Sequence, residues 1–293
     1  MQLSLVSIIL GMKIAIGGKG GVGKTTVCSV WAQLFADDGH DVLAIDADPS
    51  LSLAAAFGLP SAANPKPLIE MKDLIAERTG TRKDVIGAYF KLNPAVSDLP
   101  EEHWLKVGNV KLLVLGAVTR AGGGCACPEG AFLKALLTHT ILQRDELVLV
   151  DLAAGVEFMG RASVQGIDAF VVVVEPGSRS IETAANIATM ARDLGIGSVG
   201  AVANKVTEPA QFDAIRSKLD GIPLLGSVAY SKSIQEADLQ RTAVMQADAA
   251  VVQELDRARH HLIELITSVE SCRSFEESAW SLINAAAIKP LRK

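Results

Sequence analysis

The chain has 293 residues, 49% of them hydrophobic and 21% charged, which is enough apolar material for a full core and too much for a disordered chain. A formal charge of −5 argues against a protein that coats nucleic acid through its phosphates, and 4% aromatics argue against stacking platforms for single strands. Cys28, Cys125, Cys127 and Cys272 are too few and too uneven for a disulfide framework, and no secretion signal precedes them, so a cytoplasmic setting with reduced thiols is expected.

Residues 1–11 are mostly apolar, too short to span a bilayer, and lack the basic start of a signal peptide. They read as an early-assigned start or a real extension before Met12. The first predicted strand is Lys13 to Ile16. It runs into Gly18-Lys19-Gly20-Gly21-Val22-Gly23-Lys24-Thr25-Thr26, and an apolar-periodic helix, Val27 to Phe35, follows. Strand, glycine loop and helix in that order meet the phosphate-loop pattern G-x-x-x-x-G-K-[ST] at Gly18, Gly23, Lys24 and Thr25. Glycines let successive N–H groups turn toward phosphate oxygens, and the helix start adds unpaired donors and the positive end of its dipole. Residues Gly20 to Thr26 are thus the candidate ATP site. Lys24 is expected at the β- and γ-phosphates and the Thr25 hydroxyl on magnesium.

The second lysine, Lys19, is not needed by an ordinary phosphate loop. With it, the loop resembles the deviant Walker A of the MinD/ParA/nitrogenase-iron-protein class. That resemblance implies a homodimer in which Lys19 crosses the interface to the partner's nucleotide.

Asp41 to Ile45 is a second buried strand, ending at Asp46-Ala47-Asp48-Pro49. Carboxylates at the carboxyl end of a parallel strand overlook the crevice where α/β sheets bind ligands, although Asp and Pro also build plain turns. In the resembling class this segment is switch I. Asp48 would then orient the attacking water, with Asp46 near magnesium. Gly58 to Pro67 is a loop, Leu68 to Glu77 a weakly periodic helix, and Gly80 to Val107 a stretch of short helices without clear period. His103 in that stretch reads as packing or surface.

Lys111 to Gly116 is the next strand. Beyond it, Gly122-Gly123-Gly124-Cys125-Ala126-Cys127-Pro128-Glu129 puts two cysteines, one residue apart, on a glycine turn before a helix at Gly130 to Leu142. Such a pair makes half a metal site. Facing pairs from two subunits would supply four sulfurs, suited to zinc or another soft-ligand metal such as nickel. A helix start also favours the thiolate that metals bind. Two small packed residues, or a redox dithiol, are the competing accounts, although C-x-x-C is the usual redox spacing.

Leu147 to Asp151 is an apolar strand ending in a Walker B-type aspartate, with Asp151 expected to hold magnesium. Ala169 to Val174 is continuously apolar, as a strand buried on both faces should be. A helix starts at Arg179 and runs to about Leu194. Val199 to Ala203 delivers Asn204-Lys205-Val206-Thr207, an N-K pair at the nucleotide without the aspartate that reads guanine, which favours adenine. Pro223 to Val228 is a last strand. Strands alternate with helices throughout, so the fold class is a doubly wound, mainly parallel α/β sheet of the phosphate-loop NTPase kind with C-terminal helices. The division is 1–11 as the extension, 12–246 as the ATPase domain with an insertion at about 60–110, and 247–293 as a helical segment. In that segment Val251, Leu255, Ala258, Leu262 and Ile266 recur at helical spacing, and Phe275 to Ile288 reads as a second helix. His260 and His261 fall off the apolar stripe. The short basic end is too weak for a membrane anchor, so no membrane partner is expected.

Together with Cys125-Ala126-Cys127-Pro128-Glu129, the segments Phe90-Lys91-Leu92-Asn93-Pro94, Val156 to Arg161 and Val174 to Thr183 resemble the CooC family, ATPases that mature nickel carbon monoxide dehydrogenase. The resemblance spans about Met12 to Gln240. It implies Mg-dependent ATP hydrolysis, nucleotide-driven pairing of two Cys125/Cys127 sites around nickel, and delivery to carbon monoxide dehydrogenase or the related acetyl-CoA synthase. The chain departs from the family at Leu152 and Ala153, where Met-Glu is usual after the Walker B aspartate, and at Phe158, where a histidine is usual. A nitrogenase-iron-protein-like reductase lacks its second, well-separated cysteine here. A nickel-inserting GTPase would want the guanine-reading aspartate and histidine tracts. A ParA/MinD-type partition or positioning ATPase is the alternative, and it leaves the cysteine pair without a use.

Overall fold

The computed structural model describes residue 9 and residues 11–81, 89–117, 127–153, 166–219 and 221–287, without the side chains of 270 and 272–287. Cys125, Phe158 and the segment Val156 to Arg161 lie outside the described residues.

Among the described residues, eight strands form one sheet in the order β3-β4-β2-β5-β1-β6-β7-β8. They are β1 (Lys13–Gly17), β2 (Val42–Ala47), β3 (Leu105–Val107), β4 (Val110–Val114), β5 (Leu147–Leu152), β6 (Ala169–Val174), β7 (Ser198–Val206) and β8 (Leu224–Ala229). All pairings are parallel except β3 with β4. The three-residue β3 is a finding that the sequence did not announce. It closes the edge of the sheet where short helices alone were expected.

The central strands are buried on both faces, and their alternation sorts the core into two layers. Ile14, Ile16, Val42, Ala44, Leu147, Leu149, Val171 and Val173 face one layer, built with α1 (Lys24–Asp37), α2 (Leu53–Ala56) and the C-terminal helix. Ala15, Leu43, Ile45, Val148, Val150, Phe170 and Val172 face the other. That second layer is built from α3 (Lys72–Thr79), α5 (Pro128–Gln143), α6 (Ser178–Asp193) and α7 (Pro209–Lys218). Two further helices complete the chain order, α4 (Leu99–His103) and α8 (Lys232–Gln240). Helices on both faces of a mainly parallel sheet make the doubly wound architecture that the alternation predicted.

The C-terminal segment is one continuous helix, α9 (Ala249–Ala287), not the two expected. The polar stretch 267–274 contains no Gly or Pro, so nothing there ends a helix. Val251, Leu255, Ala258, Leu262 and Ile266 pack into the α1 layer, as their spacing predicted. Each of these buried side chains other than Ala258 contributes roughly 1.5–3 kcal/mol. Close approach of α9 to β8 leaves little room for a side chain at Gly226, where a Cβ would sit 3.0 Å from the Ala258 methyl. The buried Trp31 indole donates to the Leu255 carbonyl at 2.8 Å. Arg259 stacks over the Phe35 ring at 4.7 Å and pairs with Asp38 at 2.6 Å. Thus α9 is pinned to the helix whose N-terminus carries the glycine loop.

Candidate active site

The loop from Gly18 to Gly23 leaves the carboxyl end of β1, the middle strand of the sheet, and turns into α1. Gly23 caps the helix with φ 99° and ψ 26°, a left-handed conformation that suits glycine alone here. A Cβ at that position would also meet the Asn204 amide nitrogen at 2.2 Å.

Above the loop opens a cavity of about 500 Å³. Gly20, Gly21, Gly23, Lys24, Thr25, Thr26, Asp48, Asn204 and Lys205 line it, so most of the residues predicted for nucleotide binding are brought together. Val22 is buried, and its carbonyl accepts the Asn204 amide at 2.7 Å. Lys19 is exposed and is not among the lining residues of its own chain's cavity.

The cavity's far wall was not read from sequence. It is made by Val228, Ala229, Tyr230, Ser231, Ile234, Gln235 and Asp238, at the end of β8 and in α8. The signal that could have found them is positional, because ligands of parallel sheets sit at the carboxyl ends of the strands. At that wall the Tyr230 hydroxyl donates to Gln235 at 2.8 Å.

Below the loop lie the carboxylates. Asp46 on β2 and Asp151 on β5 are register partners, and both are fully buried. The Thr25 hydroxyl donates to Asp151 Oδ2 at 2.6 Å, while Asp151 Oδ1 is buried with no hydrogen-bond partner. Burial, with the neighbouring Asp46, pushes the Asp151 carboxyl up to about 8, against the pull of the Thr25 hydroxyl and Lys24. Burial likewise pushes Asp46 up to about 6, although the backbone N–H groups of Leu53 and Asp48 donate to it. A buried orphan carboxylate oxygen beside a threonine hydroxyl and a second carboxylate is a donor set suited to a hard divalent cation. Magnesium therefore fits this place, and Thr25 and Asp151 are the residues that would hold it.

Asp48 stands above that pair. Its carboxylate lies 3.6 Å from Lys24 Nζ and accepts the Ser50 N–H at 2.8 Å. A carboxylate and an ammonium therefore share one wall of the cavity.

Away from this site, Cys127 caps α5, and its Sγ accepts the Gly130 N–H at 3.2 Å. The sulfur thus sits at a helix start, as the sequence predicted. Among the described residues, no group of three or more His, Cys, Asp or Glu side chains is gathered to hold a metal.

The model of the CobQ/CobB/MinD/ParA nucleotide binding domain matches residues 13–244. The chain belongs to this family. The carbon monoxide dehydrogenase accessory protein CooC of Rhodospirillum rubrum is 44% identical over 229 residues, covering 78% of this chain and 87% of that protein. An uncharacterized ATP-binding protein of Methanocaldococcus jannaschii is 38% identical, covering 87% and 98%. The MinD of an Aquifex aeolicus MinC:MinD complex superposes with TM-score 0.61 at 18% identity, over 85% of this chain and 94% of that one. A ParA family ATPase from Chlorobium tepidum gives 0.62 at 16%, over 85% and 99%. These structures share the fold of this CobQ/CobB/MinD/ParA member, and its relatives make it an ATPase of the CooC type. Among the described residues no helix is long and apolar enough to cross a membrane.

Proposed function

We propose that this ATPase is a metal-handling maturation factor, which receives nickel on paired cysteines and delivers it to carbon monoxide dehydrogenase or the related acetyl-CoA synthase. The observation that carries the reading is the 44% identity to an accessory protein of carbon monoxide dehydrogenase, over 87% of that protein's length. The exposure of Lys19, outside the cavity of its own chain, supports its action on a second subunit.

In this reading the triphosphate of ATP rests on the N–H groups of Gly20 to Thr26. Lys24 stabilises charge on the γ-phosphate, and Asp48, 3.6 Å away, orients the attacking water. Magnesium, when bound, neutralises charge on the β- and γ-phosphate oxygens. Lys19 of each subunit reaches the nucleotide of the other, so ATP closes the homodimer. Closure brings Cys125 and Cys127 of two copies into a four-thiolate site for nickel or zinc, and hydrolysis times the metal's release. Of the departures from the family pattern, Leu152 is fully buried in the core layer opposite α1, so this position packs instead of reaching the nucleotide.

The test is anaerobic nickel and zinc binding, with mass in solution, with and without a non-hydrolysable ATP analogue. The wild type is compared with the Cys125→Ser/Cys127→Ser variant. One metal per dimer that vanishes with the cysteines supports the reading. Nucleotide-dependent dimers that bind no metal would overturn it and return the protein to the partition and positioning ATPases.

A further inference from the structure

The segment Val174 to Thr183 carries a carboxylate that nucleotide chemistry leaves without a role. Glu175 follows β6, and its side chain lies 3.3 Å from Lys205 Nζ. The same ammonium donates to the Gly21 carbonyl at 2.5 Å. One residue earlier, the Asn204 amide donates to the Val22 carbonyl at 2.7 Å. Two consecutive side chains from β7 therefore hold two consecutive carbonyls of the glycine loop.

The trans peptide gives this contact its consequence. C=O and N–H of one peptide unit point in opposite directions, so fixing the carbonyl fixes the donor. Lys205, by holding the Gly21 carbonyl, sets the direction of the Val22 N–H, which lies 3.4 Å from the Lys19 carbonyl and closes the turn that carries Lys19. Asn204 sets the Gly23 N–H in the same way.

Lys205 reaches its place from a left-handed backbone, φ 57°, a conformation that a long side chain rarely adopts. The β7–β8 pairing is irregular between Ala203 and Val206, where this residue falls. A non-glycine residue held in that region points to a constrained functional position.

We propose that Glu175 is a positioning residue for the nucleotide loop, acting through Lys205 on the Gly21–Val22 peptide. The inference rests on the ATPase reading of that loop. The lysine and glutamate are 40% and 28% exposed, and a pair that open adds little to fold stability. The effect therefore falls on nucleotide affinity and not on melting.

The experiment measures ATP affinity by calorimetry, and melting temperature, for wild type, Glu175→Gln, Lys205→Met, Lys205→Arg and the Glu175→Gln/Lys205→Met double variant. Losing a charged hydrogen bond to the loop predicts that Lys205→Met weakens ATP binding about tenfold. Glu175→Gln weakens it about threefold with melting nearly unchanged, and the double variant is no worse than Lys205→Met alone. Lys205→Arg, which keeps the cation, recovers part of the loss. Wild-type affinity in Glu175→Gln, or effects of the two changes that multiply, would overturn the link between them while leaving the ATPase reading intact. A wild type that binds no ATP would overturn both.

Discussion

Asp46 and Asp151 sit side by side on adjacent parallel strands, in register and on the α1 side of the sheet, with the Thr25 hydroxyl 2.6 Å from Asp151. Burial is the main reason both are held above the ordinary carboxylate range; the neighbouring Asp46 adds to the rise at Asp151, and Asp48 to the rise at Asp46. Asp151→Asn replaces this carboxyl with a neutral amide. The variant is expected to melt higher than wild type in EDTA, because folding no longer has to bring the proton that a carboxyl pushed up to about 8 takes up at neutral pH. It is also expected to lose the upward shift that magnesium and nucleotide give the wild type, and at least about 100-fold in turnover. Thermal melts with and without magnesium, beside phosphate release, check both signs.

This pair shows what was legible in the chain. Continuous apolar runs named the central strands, and the aspartates toward the ends of β2 and β5 named the site. The phosphate-loop and Walker B motifs direct Thr25 and Asp151 to one place, and the resemblance to the MinD/ParA class directs Asp48 to the phosphate side where Lys24 stands. Less could be read where the signal is a position in space. Tyr230, Gln235 and Asp238 carry no motif, and only the carboxyl-end location of β8 brings them to the cavity. Glu175 likewise gained meaning from the rare backbone of Lys205, which no sequence pattern marks. The edge strand β3 is too short for a period to show, and α9 runs on because 267–274 is polar but holds no helix breaker.

Lys24 and Asp48, 3.6 Å apart, are expected to separate binding from chemistry. Lys24→Ala removes the cation proposed to meet the phosphates and should abolish detectable ATP binding. Asp48→Ala should keep ATP affinity within a few-fold while turnover falls about 10²- to 10⁴-fold, the usual worth of a group that handles the nucleophile's proton. Calorimetry and phosphate release on the same preparations distinguish the two. Equal loss of binding in both variants would show that Asp48 shapes the cavity instead of acting on water.

Gly23 is the loop position least able to change. Alanine there meets both a left-handed φ of 99° and the Asn204 amide at 2.2 Å. Backbone strain of about 1–2 kcal/mol and the forced retreat of Asn204 add together. Gly23→Ala should therefore lower the melting temperature by several degrees and abolish ATP binding. Gly20→Ala serves as the comparison, since a Cβ at Gly20 meets nothing within 4 Å. It should leave stability close to wild type.

At the opposite end of the sheet, Glu146 sets a pH dependence of stability. The Arg144 guanidinium donates to it at 2.8 Å through Nε, and Lys111 Nζ lies 3.1 Å away. Chiefly through Arg144, these cations hold the carboxyl down to about 2 from an ordinary value of 4.5. The folded state thus binds the proton more weakly than the unfolded chain. The stabilisation is fully present above about 4.5 and is lost as pH falls from there toward about 2. The urea midpoint of the wild type should accordingly drop across that window, and Glu146→Gln should drop less steeply while starting lower at pH 7. Its neutral amide still meets Lys111 and Arg144 but gains nothing from deprotonation. Parallel slopes for the two proteins between pH 5 and pH 2 would mean that other carboxylates, such as Asp98 beside Arg78 at 2.9 Å, dominate acid unfolding.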